Sequence, residues 1–275
     1  MKTLLVLVAL VLAASCATSP TGRSQFMLIS PDAAIVESRK AYLSTVGELA
    51  EEDKLLDDPL LADRVAVITG RLVTEAIQLR PESEKWEWSV AIIDDPSTVN
   101  AWCMAGGRMA VYTGLFEELE LTDDEFAQIM GHEIAHALAN HTAERMSRAI
   151  AINLGVAGAA VASDRPAMAA GGAALAAKLA LELPNSRTAE AEADRIGIEL
   201  ASRAGYDPDA AVTLWQKMGS HGGSRPAEFL STHPAPENRQ TALAKLAPEM
   251  RALQPRPPGS MAATHPVQIV KANSS

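Results

Sequence analysis

The stretch GHEIAHALANH, residues 131–141, constrains the fold of this chain more than any other segment. Thr122 and Glu125 precede it with the spacing of a capping box, so the pattern predicts a helix through the motif. Each helical residue advances by about 100°, which puts His132 and His136 one turn apart on the same face. A fold that uses this face must bring further polar side chains to it from another part of the chain.

The two imidazoles on this face have the arrangement that binds a single zinc ion. Glu133 lies beside them, and the pattern H-E-x-x-H uses such a glutamate as the general base of a metalloprotease. The alternative is a solvated helix with chance histidines, which the capping box and the regular pattern disfavour. The helix is predicted to reach about Arg148. His141 lies about 140° from His136 on the helical wheel, so it is predicted to be a surface residue outside the site.

A catalytic zinc ion needs a third protein ligand, and the sequence offers candidates on a later helix. A metzincin would supply a third histidine, but that position is Thr142. The segment NSRTAEAEADRIG, residues 185–197, carries the carboxylates of Glu190, Glu192 and Asp194. Glu190 and Asp194 share a helix face, so one could bind zinc while the other orients a ligating histidine through its second nitrogen. Glu192 points away, and spacing alone favours Glu190.

Three motifs together resemble the HtpX-like zinc endopeptidase family, which includes the CAAX prenyl protease and bacterial periplasmic lipoprotein metallopeptidases. They are HEIAHALANH, SRTAEAEAD and LSTHPAPENR, and their order and spacing match across about residues 31–253. The resemblance implies that Glu190 is the third ligand and that Asp194 supports the ligands. It also implies that His233 is an active-site histidine, which either stabilises the oxyanion or caps the zinc in a resting state. The alternative is that His233 is only a turn residue before Pro234. Arg239 is expected to brace the loop.

The segment NAWCMAGGRMAVYTGL, residues 100–115, resembles that family's substrate-binding strand and Gly-Gly turn, with Ala105 at the usual proline. The residues implied to contact substrate are Asn100, Ala101, Trp102, Cys103 and Met104. An extended substrate would add along this edge through main-chain hydrogen bonds. Cys103 is also predicted to be a buried thiol. The resemblance implies a mainly α fold with a small β-sheet (α+β), a zincin-like metallopeptidase domain with an active-site helix and an edge strand.

The resemblance implies a zinc metalloendopeptidase of the bacterial envelope that holds one zinc ion per chain. Its substrates would be unfolded or misassembled proteins, and water would be activated by zinc and Glu133. One alternative is a chaperone-like outer-membrane protein assembly factor with secondary or latent protease activity. A membrane-embedded prenyl-protein protease would need several apolar spans of about eighteen residues, which the sequence lacks after its first residues. The net charge of −10 without a basic run disfavours nucleic acid as a partner.

The first residues predict export and a lipid anchor. Lys2 and the apolar run LLVLVALVLAA form a signal peptide over residues 1–15, and LAASC resembles the lipobox of bacterial lipoproteins. Lipidation of Cys16, followed by Ala17 rather than aspartate, predicts an anchor in the outer membrane facing the periplasm. The alternative is an ordinary signal peptide with a chance cysteine.

The remaining segments complete the predicted organisation. Residues 16–30 are predicted to be a lipidated tether, residues 31–253 the metallopeptidase domain and residues 254–275 a Pro-rich disordered tail. The Ala/Gly-rich residues 149–183 are predicted to form two closely packed buried helices, because each half is short for a membrane hairpin. Helices are predicted over residues 31–49 and 59–79, and β elements over residues 86–93 and 98–112.

Overall fold

The structure is a computed structural model that describes residues 16–162, 185–221, 228–234, 238–255, 257 and 259–271. The helices described are α1 (Pro31–Glu51), α2 (Pro59–Leu79), α3 (Gly114–Leu119), α4 (Asp123–Leu138), α5 (His141–Ala162), α6 (Arg187–Ala204), α7 (Ala210–His221), α8 (Glu228–Thr232) and α9 (Arg239–Arg251). The strands described are β1 (Cys16–Thr18), β2 (Ser24–Phe26), β3 (Ser89–Ile93), β4 (Ala101–Met104), β5 (Arg108–Tyr112) and β6 (Gln268–Val270). The fold is mainly α with small sheets, as predicted.

The helix starts follow the capping signals in the sequence. Ser30 caps α1 by accepting a hydrogen bond from the backbone N–H of Ala33, and a proline follows it at the first helical position. Asp58 caps α2 in the same way, with Pro59 next. At α4, Thr122 and Glu125 form the predicted capping box, because each side chain accepts the other's backbone N–H. These starts confirm the helix beginnings that the sequence predicts.

The central sheet has the strand order β4-β5-β3-β6, so β4 lies at one edge. β3 is parallel to β5 and to β6, whereas β4 runs antiparallel to β5. Gly106 and Gly107 make the turn between β4 and β5 with φ values of 88° and 81°, a region that favours glycine. The predicted β elements and edge strand are therefore confirmed.

Helices α4 and α6 pack closely because glycines face each other at their crossing. A Cβ atom added at Gly131 would lie 2.7 Å from the carbonyl oxygen of Gly197. A Cβ atom added at Gly197 would lie 2.7 Å from the backbone nitrogen of His132. This approach sets the carboxylates of α6 directly against the histidines of α4.

The N-terminal residues differ from the predicted tether. β1 and β2 pair as an antiparallel hairpin that begins at Cys16. Buried Gln25 donates from Nε2 to the carbonyl oxygen of Ala139, at 2.7 Å. The backbone N–H groups of Leu28 and Ile29 donate to the Ser147 hydroxyl. These polar contacts fix the segment to α5 and to the end of α4, which composition alone did not reveal.

The C-terminal residues also differ from the predicted disordered tail. β6 adds to β3 in parallel, so the segment supplies a strand to the central sheet. Upstream of it, the backbone N–H of His265 donates to the carbonyl oxygen of Gly70 at 3.0 Å, and Thr74 donates to the carbonyl oxygen of Ala263. Val267 and Ile269 pack against the core. The prediction was wrong here because a strand of three residues is too short to show a period.

Within the described ranges, every helix is too short or too polar to cross a bilayer. α5 covers the first part of the Ala/Gly-rich segment. The second helix predicted there falls in residues 163–184, and the predicted signal peptide in residues 1–15, both outside the described residues.

Candidate metal centre

Four buried side chains bring their ligand atoms together at the centre of the fold. They are His132, His136, Glu190 and His233, and one donor atom from each lies within 4.8 Å of the others. The Nε2 atoms of His132 and His136 are 3.0 Å apart. Glu190 places its carboxylate oxygens 3.3 Å and 3.4 Å from these two nitrogens. The predicted pair and the favoured third carboxylate thus meet in the structure.

This donor set fits a zinc ion. Imidazole nitrogen and carboxylate oxygen are the ligands of catalytic zinc sites. Ligands at about 2.0–2.1 Å in a tetrahedron lie roughly 3.3–3.4 Å from one another. The spacing between Glu190 and the two histidines matches that value.

Asp194 and Arg239 support the ligands from behind. Asp194 places Oδ1 3.0 Å from Nδ1 of His132, the contact that the helix spacing predicts. The Arg239 guanidinium donates from Nε to Asp194 at 2.6 Å and from Nη2 to Glu190 at 2.7 Å. It also stacks over the ring of Trp215, 3.8 Å from the centroid. Arg239 therefore holds two carboxylates in place and does more than brace its loop.

The surface position predicted for His141 was wrong. Its side chain is buried, with Nδ1 2.8 Å from Nδ1 of His136 and Nε2 3.1 Å from Glu192. The helical wheel fails here because α4 ends at Leu138, so the predicted extension to Arg148 is interrupted. Asn140 takes a left-handed φ of 56°, and a new helix begins at His141. Glu192 does point away from Glu190, as predicted, but it points towards this histidine.

Glu133 lies between the metal-binding cluster and the edge strand. Its Oε2 accepts a hydrogen bond from the backbone N–H of Cys103 at 3.2 Å. Its Oε1 is buried without a hydrogen-bond partner among the described residues and lies 3.5 Å from Nε2 of His233. The free oxygen is therefore available to water or substrate, which is the position that a general base needs.

Burial and neighbouring charges shift the titration of these groups. Burial raises the pKa of Glu133, with opposing effects from His233 and His132. Burial alone would lower the pKa of His132, but Asp194 and Glu190 raise it to about 9. Burial lowers the pKa of His136 well below its usual value. Burial would raise the pKa of Glu190, but the histidines around it hold it far below its usual range.

A cavity of about 460 Å³ opens between this cluster and β4. Its lining includes the sequence-predicted strand residues Asn100, Ala101, Trp102, Cys103 and Met104 together with Glu133, His136 and His233. The Cys103 thiol is buried, as predicted, and burial raises its pKa. The edge strand and the metal-binding cluster therefore share one cleft.

His233 occupies a place in the cluster itself. Its Nδ1 lies 3.1 Å from Glu190 and 3.2 Å from Nε2 of His132. Its ring stacks on Phe229 at a centroid distance of 4.2 Å. His233 is therefore not merely a turn residue, because its ring contacts the metal-binding cluster in this structure.

Sequence reasoning missed several residues of the cleft, among them a hydrogen-bonded pair of polar side chains. Arg145 and Asn185 both line it, and Nη1 of Arg145 donates to the side-chain oxygen of Asn185 at 2.9 Å. The available signal was the position of Arg145, one helical turn after His141 on the new helix. This position follows from the sequence only when the helix is known to break at Asn140.

Comparison with known proteins gives consistent matches. The sequence profile described as peptidase family M48 matches residues 59–247. The mitochondrial metalloendopeptidase OMA1 of Arabidopsis thaliana is 35% identical over 196 residues, which cover 71% of this chain and 38% of that protein. The OMA1 metalloendopeptidase of Bos taurus is 32% identical over 241 residues, covering 83% and 45%. The beta-barrel assembly-enhancing protease of Escherichia coli is 32% identical over 215 residues, covering 75% and 43%. The aligned region spans less than half the length of these relatives.

Proposed function

The chain belongs to peptidase family M48, and we propose that it is a zinc-dependent endopeptidase that hydrolyses unfolded or misassembled proteins. The observation that carries this proposal is the buried donor cluster beside the edge strand β4. His132, His136 and Glu190 would hold one zinc ion, with Asp194 orienting His132 through its second nitrogen.

Zinc bound to these residues would supply a Lewis acid that polarises the peptide carbonyl and activates water. Glu133 then takes the proton from the attacking water on its free Oε1. The N–H of Cys103 holds the other carboxylate oxygen and so keeps Oε1 directed at the cleft. The same oxygen passes the proton to the leaving amine nitrogen, which completes the cleavage of the peptide bond.

The substrate would bind as an extra strand on β4. In the described residues, β4 pairs only with β5, so its other side is open to main-chain hydrogen bonding. The contacts would run along Asn100–Met104. Main-chain hydrogen bonds do not discriminate between most substrate side chains, so this mode of binding suits unfolded segments of varied sequence.

His233 has two proposed roles, and its position favours the first. Its Nδ1 lies among the donors, so it can cap the metal site in a resting state. When substrate displaces it, the imidazole can donate to the oxyanion instead. Substitution separates these roles. His233→Ala raises peptide cleavage if capping limits the enzyme, and lowers it by about 100-fold if oxyanion stabilisation dominates.

We propose a quality-control role in a bacterial envelope, within the periplasmic lipoprotein branch of such peptidases. The name of the Escherichia coli relative refers to β-barrel assembly, which supports this role, whereas two other relatives are mitochondrial. The LAASC sequence supports lipidation of Cys16 and an outer-membrane anchor facing the periplasm. Substrate proteins and the membrane are the partners that we propose.

A second candidate is an assembly factor for outer-membrane proteins with secondary or latent protease activity. The name of the Escherichia coli relative and the capping position of His233 favour it. The two candidates differ in their need for Glu133. If outer-membrane proteins still assemble in a strain that carries Glu133→Gln, the result supports the assembly factor. If their assembly fails in that strain, the result supports the peptidase.

The first test is zinc content together with casein cleavage for the purified protein and for Glu133→Gln. We expect one zinc per chain in both, with cleavage only by the unchanged protein. Glu117→Gln is the matched control, because it makes the same chemical change at an exposed residue of α3 that does not line the cleft. Zinc missing from both proteins would refute the proposed site.

A further inference from the structure

The hairpin of β1 and β2 contacts the metal-binding cluster through a chain of polar side chains. Arg23 donates from Nε to Glu192 at 2.8 Å and forms paired hydrogen bonds to Glu144 at 3.0 Å and 2.8 Å. Glu192 lies 3.1 Å from Nε2 of His141, whose Nδ1 lies 2.8 Å from Nδ1 of His136. We propose that Arg23 is a positioning residue that fixes His136 for metal binding through the two side chains between them.

The direction of each hydrogen bond follows from the chemistry of the groups. An arginine is always protonated and donates, so the Glu192 carboxylate can only accept. Nε2 of His141 must therefore carry the proton that faces Glu192. Neutral His141 then has its lone pair on Nδ1, which accepts from the Nδ1–H of His136.

The result is a defined tautomer of His136. With its proton on Nδ1, its lone pair lies on Nε2, the atom that faces the cluster at 3.0 Å from Nε2 of His132. A metal ion needs this lone pair, and the hydrogen bond to the other ring nitrogen normally decides which tautomer exists. At His132 the corresponding nitrogen, Nδ1, lies 3.0 Å from Oδ1 of Asp194. The hairpin thus does for one histidine what an aspartate does for the other.

The structure holds Arg23 in one geometry. Its paired hydrogen bonds to Glu144 are bidentate, and its side chain is only 22% exposed. Thr21 donates to the second oxygen of Glu192 at 2.5 Å, so both oxygens of this carboxylate are bound by the hairpin and its partners. Loss of Arg23 would remove its hydrogen bond to the Glu192 oxygen that faces His141 and leave Thr21 on the other oxygen, so Glu192 would be held less firmly against His141. The inference rests on the proposed zinc site.

The test measures zinc affinity of the purified protein by competition with a chromophoric chelator. Removal of groups that support metal ligands typically weakens metal binding 10–100-fold. We expect Arg23→Gln, which acts through two intervening groups, to weaken zinc binding by about tenfold. The matched control is Arg39→Gln, since Arg39 is 58% exposed and lies 3.6 Å from Glu87 on the surface. The control is expected to bind zinc as the unchanged protein does.

A double-mutant cycle distinguishes positioning from general structural support. If Arg23 acts through His141, then adding Arg23→Gln to His141→Gln weakens zinc binding no further. Arg23→Lys is the second variant in case Arg23→Gln fails to fold, because it keeps the charge and loses the planar fork. It is expected to weaken zinc binding by several-fold.

The outcomes separate the inference from the proposed function. Unchanged zinc affinity in the Arg23 variants, or fully additive losses in the cycle, would overturn the positioning role while leaving the zinc site intact. A lack of zinc binding by the unchanged protein would overturn the proposed function, and this inference with it.

Discussion

Substituting Gly197 with alanine tests the close crossing of α4 and α6. The new methyl group would meet the backbone of His132 at 2.7 Å and 2.9 Å and that of Gly131 at 3.0 Å. Backbone atoms in a helix cannot rotate aside, so the overpacking is expected at the upper end of its usual range, about 3 kcal/mol. Alanine regains about 1 kcal/mol of helix propensity over glycine. The net loss is therefore about 2 kcal/mol, or roughly 4–8 °C in the thermal midpoint for a chain of this size.

The matched control is the same substitution at Gly47. This residue lies within α1, where an added Cβ atom meets nothing within 4 Å. Gly47→Ala is expected to stabilise the protein by about 0.5–1 kcal/mol. The unfolding midpoints of both variants are measured by circular dichroism during urea or thermal unfolding, with a chelator present. If Gly197→Ala raised the midpoint as Gly47→Ala does, the account of how α6 reaches the histidines would be refuted.

Three further predictions concern the metal, the C-terminal strand and a buried carboxylate. Zinc at about 100 times its Kd is expected to raise the thermal midpoint by about 5–11 °C over the value in chelator. Glu190→Gln should lose most of that shift, and an equal shift in both proteins would exclude Glu190 as a ligand. Deleting residues 259–275 removes β6 from β3 and is expected to lower the urea midpoint, whereas an unchanged midpoint would contradict the pairing. Burial raises the pKa of Glu75 above 4.5, so its contribution to stability is lost as pH rises through the folded-state pKa. Glu75→Gln should therefore raise the urea midpoint at about pH 8 but not at about pH 4, and equal effects would refute this sign.

The sequence predicted the parts of the site that depend on local geometry. His132, Glu133 and His136 follow a capping box on one helix, so their relative placement needs only the helical period. Glu190 and Asp194 are one turn apart on α6, and the same period puts both on the face that meets α4. The edge position of β4 came from resemblance to a family and agrees with the strand order.

The parts that the sequence did not predict depend on contacts between distant segments. The helical wheel placed His141 on the surface because it assumed one continuous helix, whereas Asn140 adopts a left-handed conformation and ends α4. Asparagine tolerates this conformation, but the residue type alone does not require a break. The hairpin that carries Arg23 has strands of three residues each, too short to show alternation. β6 is equally short, and its partner strand lies far away in the sequence.

Each proposed ligand of the metal site is held by a group from a different part of the chain. Asp194 supports His132 from α6, Arg239 supports Glu190 from α9, and His136 is supported from α5 and, through Glu192, by the N-terminal hairpin. A donor set assembled in this way cannot persist when these elements separate, so part of the zinc-binding free energy must act as folding free energy. Substitutions in the supporting groups should therefore weaken zinc binding and stability together. Substitutions along β4 that affect only substrate binding should change KM and leave zinc binding and stability unaltered.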